Sequence, residues 1–371
     1  MSVFLDERHL ELRRRAQAWA DGANLDGEHD PRALVAGMAK AELLRACVPA
    51  AYGGLRERVE LRDLVVVRAA LAYRSSLADT MFAMQGLGSY PVTLAGTDEQ
   101  KRALLPRVAS GDAICAFAVT EPDAGSDVSG IATRATRTDS GYVLDGTKTF
   151  ISNAGLADSY VVFARTSDDR HRGLSAFLVN GLTTGLMVKP IELIAPHPIG
   201  TVELRGVAVP ESARLGAEGE GFPLAMATLD LFRTSVGAAA VGMAARARDE
   251  AIARVKSRRQ FGKALAEFQA TQLAVADMAL DVSSATLLVL AAAHRIDVTG
   301  QASAVDAAMA KLHATEAAQR VIDRAVQLHG GQGLVAGAVV ERLYREVRAL
   351  RIYEGTSEIQ KLVIARALLR G

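Results

Sequence analysis

Five short segments carry residue types that can act on a ligand. Ile352-Tyr353-Glu354-Gly355-Thr356-Ser357-Glu358-Ile359-Gln360 sets one carboxylate in an apolar, aromatic context directly before a helix start. Burial raises the pKa of such a carboxyl and the helix dipole lowers it, which tunes Glu354 toward general-base work near neutral pH. The same pattern also reads as a helix-start glutamate, with Gly355-Thr356-Ser357 supplying N-caps. Phe117-Ala118-Val119-Thr120-Glu121-Pro122-Asp123-Ala124-Gly125-Ser126-Asp127 runs a strand into a tight loop. Its amides and hydroxyls suit a planar cofactor, or an ordinary Asx- and Ser-capped turn. Lys148-Thr149-Phe150-Ile151-Ser152-Asn153-Ala154-Gly155 follows an expected hairpin turn at Asp145-Gly146. On a strand Phe150 and Ser152 share a face, an aromatic beside a hydroxyl, suited either to a ring system or to the core.

Two further segments have phosphate chemistry. In Arg258-Arg259-Gln260-Phe261-Gly262 an arginine can hold a pyrophosphate bidentately and Phe261 offers a stacking surface; a helix C-cap at Gly262 competes. Gln327-Leu328-His329-Gly330-Gly331-Gln332-Gly333 opens a helix end into glycines, presenting amides to phosphates or simply stopping the helix. The chain contains no GxxxxGK[ST], GxGxxG, HExxH or GxSxG motif. The histidines at 9, 29, 171, 197, 294, 313 and 329 show no metal-ligand spacing, so no metal site is expected.

The elements that must position these segments fall into three blocks. Helical periodicity is expected over 7–20, 32–46, 60–73 and 80–95, and Thr97-Asp98-Glu99-Gln100 reads as a capping box before a helix over 101–109. Between 114 and 210 the period shortens to strands at 115–119, 142–145, 160–164, 176–179, 186–191 and 202–204. Turn residues at 139–141, 145–146 and 180–181 punctuate them. Strands this closely spaced, with no helices between, predict an antiparallel sandwich or barrel. Helices return over 222–258, 267–298, 303–328, 339–350 and 357–369. The expected architecture is α+β and multidomain: an N-terminal helical domain over 1–113, a central antiparallel β domain over 114–212, and a C-terminal four-helix bundle over 213–371.

Composition narrows the function classes. Of 371 residues, 50% are hydrophobic and 23% charged, enough to bury a large core. The 43 Lys and Arg almost cancel 42 Asp and Glu, so there is no basic excess to hold nucleic acid. The longest uninterrupted apolar runs, 236–245 and 287–293, fall short of the ~18 residues of a spanning helix. The N-terminal residues lack an apolar signal core, and two cysteines, Cys47 and Cys115, make no disulfide framework. A cytoplasmic enzyme that engages neither membrane nor nucleic acid is expected.

Taken together and in this order, the five segments resemble the acyl-CoA dehydrogenase family of flavoproteins over nearly the whole chain. The resemblance implies non-covalent FAD, an acyl-CoA substrate, electron-transferring flavoprotein as acceptor, and a homotetramer built as a dimer of dimers. It implies that Phe117, Val119, Thr120, Phe150 and Ser152 contact the isoalloxazine side. Arg258, Phe261, Gln327 and Gly331 would reach the adenosine and pyrophosphate part of a neighbouring subunit's FAD. Thr356 and Glu358 match further cofactor positions, while Ser126, Asp230, Arg233 and Tyr353 border the substrate. The implied chemistry is α,β-desaturation: Glu354 removes the pro-R α-proton and the β-hydrogen leaves as hydride to flavin N5. The developing enolate oxygen would meet the ribityl 2′-hydroxyl and the Glu354 backbone N–H. An alternative base position of the family, just before Arg233, is here Phe232 and cannot take a proton.

Two departures from the family pattern bear on partners. Phe150 stands where many members carry Trp, which keeps a stacking surface and drops an N–H donor. Ala195-Pro196-His197-Pro198-Ile199-Gly200-Thr201 replaces a Gly-Ser or Cys-Ser segment, so a carrier-protein thioester becomes an alternative substrate. An oxygen-reactive oxidase or monooxygenase and a non-catalytic scaffold are the other readings. Retention of Tyr353-Glu354-Gly355-Thr356 weighs against both. Met81, Met84 and Phe232 point to short, branched or alicyclic acyl groups.

Overall fold

The computed structural model describes residues 3–23, 25, 30–195, 197–301 and 303–369. Among these, the order begins α1 (Glu7–Gly22), α2 (Pro31–Lys40), α3 (Leu61–Arg74), α4 (Ser76–Ala95) and α5 (Asp98–Ser110). The strands β1 (Cys115–Ala118), β2 (Arg134–Thr138), β3 (Gly141–Ser152), β4 (Ser159–Arg165), β5 (Leu174–Asn180), β6 (Leu186–Pro190), β7 (Ile199–Pro210) and β8 (Arg214–Leu215) follow. Then come α6 (Gly221–Ser257), a hairpin of β9 (Arg259–Gln260) and β10 (Lys263–Ala264), α7 (Gln269–Thr299), α8 (Ala304–His329), α9 (Val339–Val347) and α10 (Ser357–Leu369). The chain folds as two compact units, residues 1–27, 61–79 and 230–371, and residues 28–60 and 80–229; the division falls within α4 and α6.

The first, helical unit is built on alanine. Ala239, Ala240, Ala247, Ala251, Ala293, Ala307, Ala308 and Ala310 are fully buried, so long helices approach closely along α6, α7 and α8. A Cβ at Gly242 of α6 would stand 2.3 Å from the Ala69 carbonyl of α3, so only glycine permits that crossing. The start of α3 is capped from α7: Asp297 accepts from the amides of Leu61 (2.7 Å) and Arg62 (3.0 Å) and from Arg62 Nε (2.8 Å). Asp281 pairs with Arg320 and Ser284 with His313, so α7 and α8 run antiparallel. The C-terminal end of α8 therefore returns to the end where α7 begins.

By length and composition α6 and α7 are each apolar enough to cross a membrane, which uninterrupted runs understate because alanine-rich helices tolerate an occasional charge. The apolar window of α6 is mostly buried as core, whereas only 33% of the α7 window is buried. Leu273, Leu280 and Leu287 of α7 are exposed at intervals of seven residues, one stripe on one face.

The second unit carries the sheet in the order β6-β7-β3-β2-β4-β5-β8, with β1 beside β4. Most pairings are antiparallel; β1 runs parallel to β4, and Arg134 of β2 pairs in parallel with Arg165. That arrangement is reached without a crossover helix because the β2–β3 hairpin intervenes between β1 and β4. The turn at 139–141 forms that hairpin, with Thr138 opposite Gly141. Asp145-Gly146 does not turn the chain: β3 runs straight through it, with a bulge against β7 between Leu144 and Gly146. At φ 153° Gly146 meets Thr133, where a Cβ would lie 2.5 Å from Oγ1. In the same unit the Thr97 capping box forms, with Oγ1 accepting from the Gln100 amide (3.2 Å) and Gln100 returning to the Thr97 amide (2.8 Å).

Candidate active site

In the helical unit the central residue is Glu354, between the 3-10 turn Arg348–Arg351 and α10. Its backbone is left-handed (φ 52°), followed by Gly355 at φ 89°. Such a conformation costs about 1–3 kcal/mol outside glycine and persists only where neighbours enforce it. Three helices supply that enforcement through carbonyls. Arg233 Nε from α6 and Gln360 Nε2 from α10 each donate to the Glu354 carbonyl at 3.2 Å. Lys311 Nζ from α8 (2.7 Å) and Gln360 Nε2 (3.0 Å) donate to the Gly355 carbonyl. Thr356 Oγ1 accepts the Ile359 amide (3.3 Å) and so caps α10. Ser357 Oγ donates to Glu316 (2.6 Å), which Arg351 also meets (2.9 Å).

The backbone of Glu354 is thus held, while its side chain is left open. Oε2 is buried and has no hydrogen-bond partner. An unsatisfied buried acceptor costs about 1–3 kcal/mol and calls for a reason, catalysis among them. Burial pushes the Glu354 carboxyl up, and the charges of Arg68, Lys311 and Arg233 offset this only in part. Arg68 itself is fully engaged: Nε and Nη2 hold Asp79 at 2.8 Å each, and Nη1 donates to Ser235 Oγ at 2.8 Å. Burial brings the Lys311 ammonium down to about 8. Asp230 pairs with Arg233 one turn along α6, and burial raises its carboxyl against that pull. Burial likewise raises the Tyr353 phenol.

A separate constellation sits in the β unit. Phe117 and Val119 are buried where β1 ends, and the Phe117 ring packs on Phe163 with centroids 5.0 Å apart. The buried Lys148 donates to the Val119 carbonyl (3.2 Å) and to Glu121 Oε1 (2.7 Å), while the Thr149 amide donates to the Thr120 carbonyl (2.9 Å). Glu121 also accepts the amides of Ala132 (2.6 Å) and Thr133 (2.9 Å). Burial alone would raise the Glu121 carboxyl; Lys148 and those donors outweigh it and bring it below its ordinary value. The loop leaving β1 is thereby clamped to β3. Ser126 is exposed further along that loop, next to Gly125, whose Cα faces open space.

The two-residue alternation expected from Phe150 to Ser152 does not hold. The register with β7 shifts between Lys148 and Ile151, and Phe150 takes φ 54°, which turns its ring out to 58% exposure. Asn153, at φ 63°, is pinned by its amide to the Pro198 carbonyl (2.7 Å) and by Nδ2 to the Cys115 carbonyl (3.0 Å). Ser152 Oγ lies 2.8 Å from His197 Nε2. Pro196 and His29 lie outside the described residues.

Arg258 directly precedes the hairpin between α6 and α7, and Phe261 sits in its turn. Helix α6 ends at Ser257, and Gly262 is the second residue of a tight turn (Phe261 φ 52°, Gly262 φ 83°) rather than a helix cap. Phe261 is 91% exposed. Gln327 and Gly331, also exposed, sit at the end of α8, which the antiparallel helices return toward that hairpin. Glu358 is exposed in the first turn of α10. Among the described residues, four of the five left-handed non-glycine residues (Phe150, Asn153, Phe261 and Glu354) fall inside the chemical segments, the fifth being Glu42. Sequence reasoning did not single out Arg68, Asp79, Lys311, Gln360 or the Lys148–Glu121 pair. The available signal was a lone charge within an apolar helix face, as in Val65-Val66-Val67-Arg68-Ala69-Ala70 and Ala308-Met309-Ala310-Lys311.

The helical unit thus sets a carboxylate with an unpartnered buried oxygen on a strained turn near three cationic side chains, and comparisons with known proteins give the class. Family models describing the N-terminal, middle and C-terminal domains of acyl-CoA dehydrogenase match residues 6–112, 116–207 and 219–369. A subunit of the caffeyl-CoA reductase–Etf complex of Acetobacterium woodii is 36% identical over 99% of this chain and 100% of its own length. The butyryl-CoA dehydrogenase structure from Megasphaera elsdenii superposes with TM-score 0.94 at 33% identity, covering 99% of each chain. A Mycobacterium smegmatis glutaryl-CoA dehydrogenase in complex with FADH2 gives TM-score 0.93 at 28% identity, covering 100% and 97%. The chain belongs to the acyl-CoA dehydrogenase family. It is an oxidoreductase of that family's three-domain fold.

Proposed function

We propose that this enzyme desaturates an acyl-CoA thioester at the α,β bond, with Glu354 as the base, and passes the electrons to an electron-transferring flavoprotein. The buried, unpartnered Oε2 of Glu354 carries this reading. The cofactor is FAD, as in the family, and the β unit fits a flat ring. Phe150 presents an exposed aromatic at positive φ, Ser152 a hydroxyl, and residues 119–120 a backbone locked by Lys148 and Thr149. When bound, FAD supplies a hydride acceptor at flavin N5.

The chain's own groups do the rest. Glu354 Oε2 takes the α-proton, and its raised pKa makes the proton transfer less uphill than to an ordinary carboxylate. The Glu354 N–H is the chain's donor to the developing enolate oxygen. Arg233, Lys311 and Gln360 fix the turn that aims both groups. By the family pattern, Asp230, Arg233 and Tyr353 of the helical unit would border the thioester, Ser126 of the β unit would serve the same substrate, and Thr356 and Glu358 would hold the cofactor. Arg258, Phe261, Gln327 and Gly331 would hold the nucleotide part of FAD on a neighbouring subunit. Their exposure at one end of the bundle and the leucine stripe of α7 support a homotetramer.

One test is anaerobic flavin bleaching across a panel of acyl-CoA thioesters and acyl-carrier-protein thioesters. Bleaching by short or branched acyl-CoA is expected. Dithionite reduction with no response to any thioester would contradict the proposal, and a response to carrier thioesters alone would replace CoA with a carrier. The kinship with caffeyl-CoA reductase favours a second reading, the same chemistry run as enoyl reduction, in which protonated Glu354 returns the α-proton. Faster turnover from reduced enzyme plus enoyl-CoA than from oxidised enzyme plus acyl-CoA would support that direction.

A further inference from the structure

The sequence from 195 to 201, with a proline on either side of its histidine, departs from the family pattern, and that histidine has a specific partner. His197 Nε2 lies 2.8 Å from Ser152 Oγ at the end of β3. Both residues sit on backbone that is firmly held. Pro198, next to the histidine, gives its carbonyl to the amide of Asn153, next to the serine, at 2.7 Å. Asn153 is anchored in turn to Cys115 on β1, and Thr201 Oγ1 meets Thr149 Oγ1 at 3.2 Å. The imidazole is therefore not a surface side chain that happens to touch a hydroxyl. Loss of water pushes it down to about 4, so it is neutral at physiological pH and carries a single N–H.

That single N–H decides what Ser152 can offer. A serine hydroxyl has one proton; spent on an imidazole acceptor, it cannot also go to a ligand. An oxidised flavin ring presents mostly acceptor atoms along its polar edge. We infer that His197 is a positioning residue for the cofactor: it donates through Nε2–H to Ser152 Oγ and so frees the serine proton for the flavin ring. The inference rests on the reading of Ser152 as a flavin contact, and the test separates the two.

The experiment compares holoenzymes of wild type, H197Q, H197F, S152A and H197F/S152A by visible flavin spectrum and by the oxidised-to-reduced ratio at fixed dye potential. Histidine 15N NMR of wild type reports the tautomer. The expected results are an Nε2–H tautomer and an H197F shift of the ratio by about threefold to tenfold, the worth of one hydrogen bond. H197Q, whose amide can still donate, restores most of it, and H197F adds nothing in the S152A background. An Nδ1–H tautomer, or H197F indistinguishable from wild type while S152A is shifted, overturns the inference alone. An S152A protein with unchanged spectrum and ratio removes the reading of Ser152 as well.

Discussion

Glu121 and Glu354 are two carboxylates withdrawn from water in different parts of this chain, and they are treated in opposite ways. In the β unit Glu121 accepts from Lys148 and from two backbone amides, and its carboxyl falls below the ordinary range despite burial. In the helical unit Glu354 keeps Oε2 unpaired, and its carboxyl rises although three cations face it. The same side chain is a brace where every acceptor site is met and a reagent where one is left open. What distinguishes them is the direction of the donors. Around Glu354 the donors of Arg233, Lys311 and Gln360 are aimed at main-chain carbonyls, so they fix the turn without occupying the carboxylate.

The largest effect expected from breaking this contrast is E354Q. Substrate-dependent flavin bleaching in anaerobic stopped flow falls by about three to four orders of magnitude, the range typical of a lost general base. The protein stays yellow. Because the folded-state pKa is raised, ionised Glu354 costs stability as pH rises above its unfolded value, so E354Q melts at the same temperature as wild type or higher at pH 7. A lowered melting temperature would recast Glu354 as structural.

E121A is expected to do the reverse. It strands a buried lysine ammonium, costing about 3–5 kcal/mol in denaturant unfolding. Since the Glu121 pKa is depressed, its contribution is present above the unfolded value near 4.3 and is lost as pH falls through the folded one. The stability gap between wild type and E121A should therefore narrow in acid, and a gap that is constant with pH would contradict the pairing.

The smallest expected change comes from K311M. Lys311 lowers the Glu354 pKa, so its removal moves the rising limb of the reduction-rate pH profile to higher pH. Its hold on the Gly355 carbonyl is also lost, and the limiting rate drops by roughly tenfold, the equivalent of about 1.4 kcal/mol. An unshifted limb would show that the lysine acts on structure alone.

Much of this was legible in the sequence, for a physical reason: local chemistry writes itself locally. The Thr97 capping box, the helix from Ser357 to Leu369 and the isolation of Glu354 before it all depend on neighbours within a few residues. Pairing across the chain does not. Arg68 meets Ser235 across 167 residues, and Lys311 reaches Gly355 across 44, so these two of the three cations that tune Glu354 had no local mark beyond a charge among alanines and valines. The strand β2, Arg-Ala-Thr-Arg-Thr, is too polar to announce itself, with only Ala135 buried. The bulges at Gly146 and Phe150 read as a turn and as an unbroken strand because positive φ is enforced by contacts to Thr133 and β7 that sequence spacing does not encode.

That Glu354 alone takes the α-proton is tested most directly without the flavin's participation. A thioester with no β-hydrogen, such as 3,3-dimethylbutyryl-CoA, cannot lose hydride, so exchange of its α-hydrogens with D2O, followed by mass spectrometry, isolates the proton step. Wild-type holoenzyme should exchange the α-position readily, and E354Q, carrying the same FAD, should exchange it at least about a thousandfold more slowly. Equal exchange by the two proteins would show that another group abstracts the proton and would contradict the account.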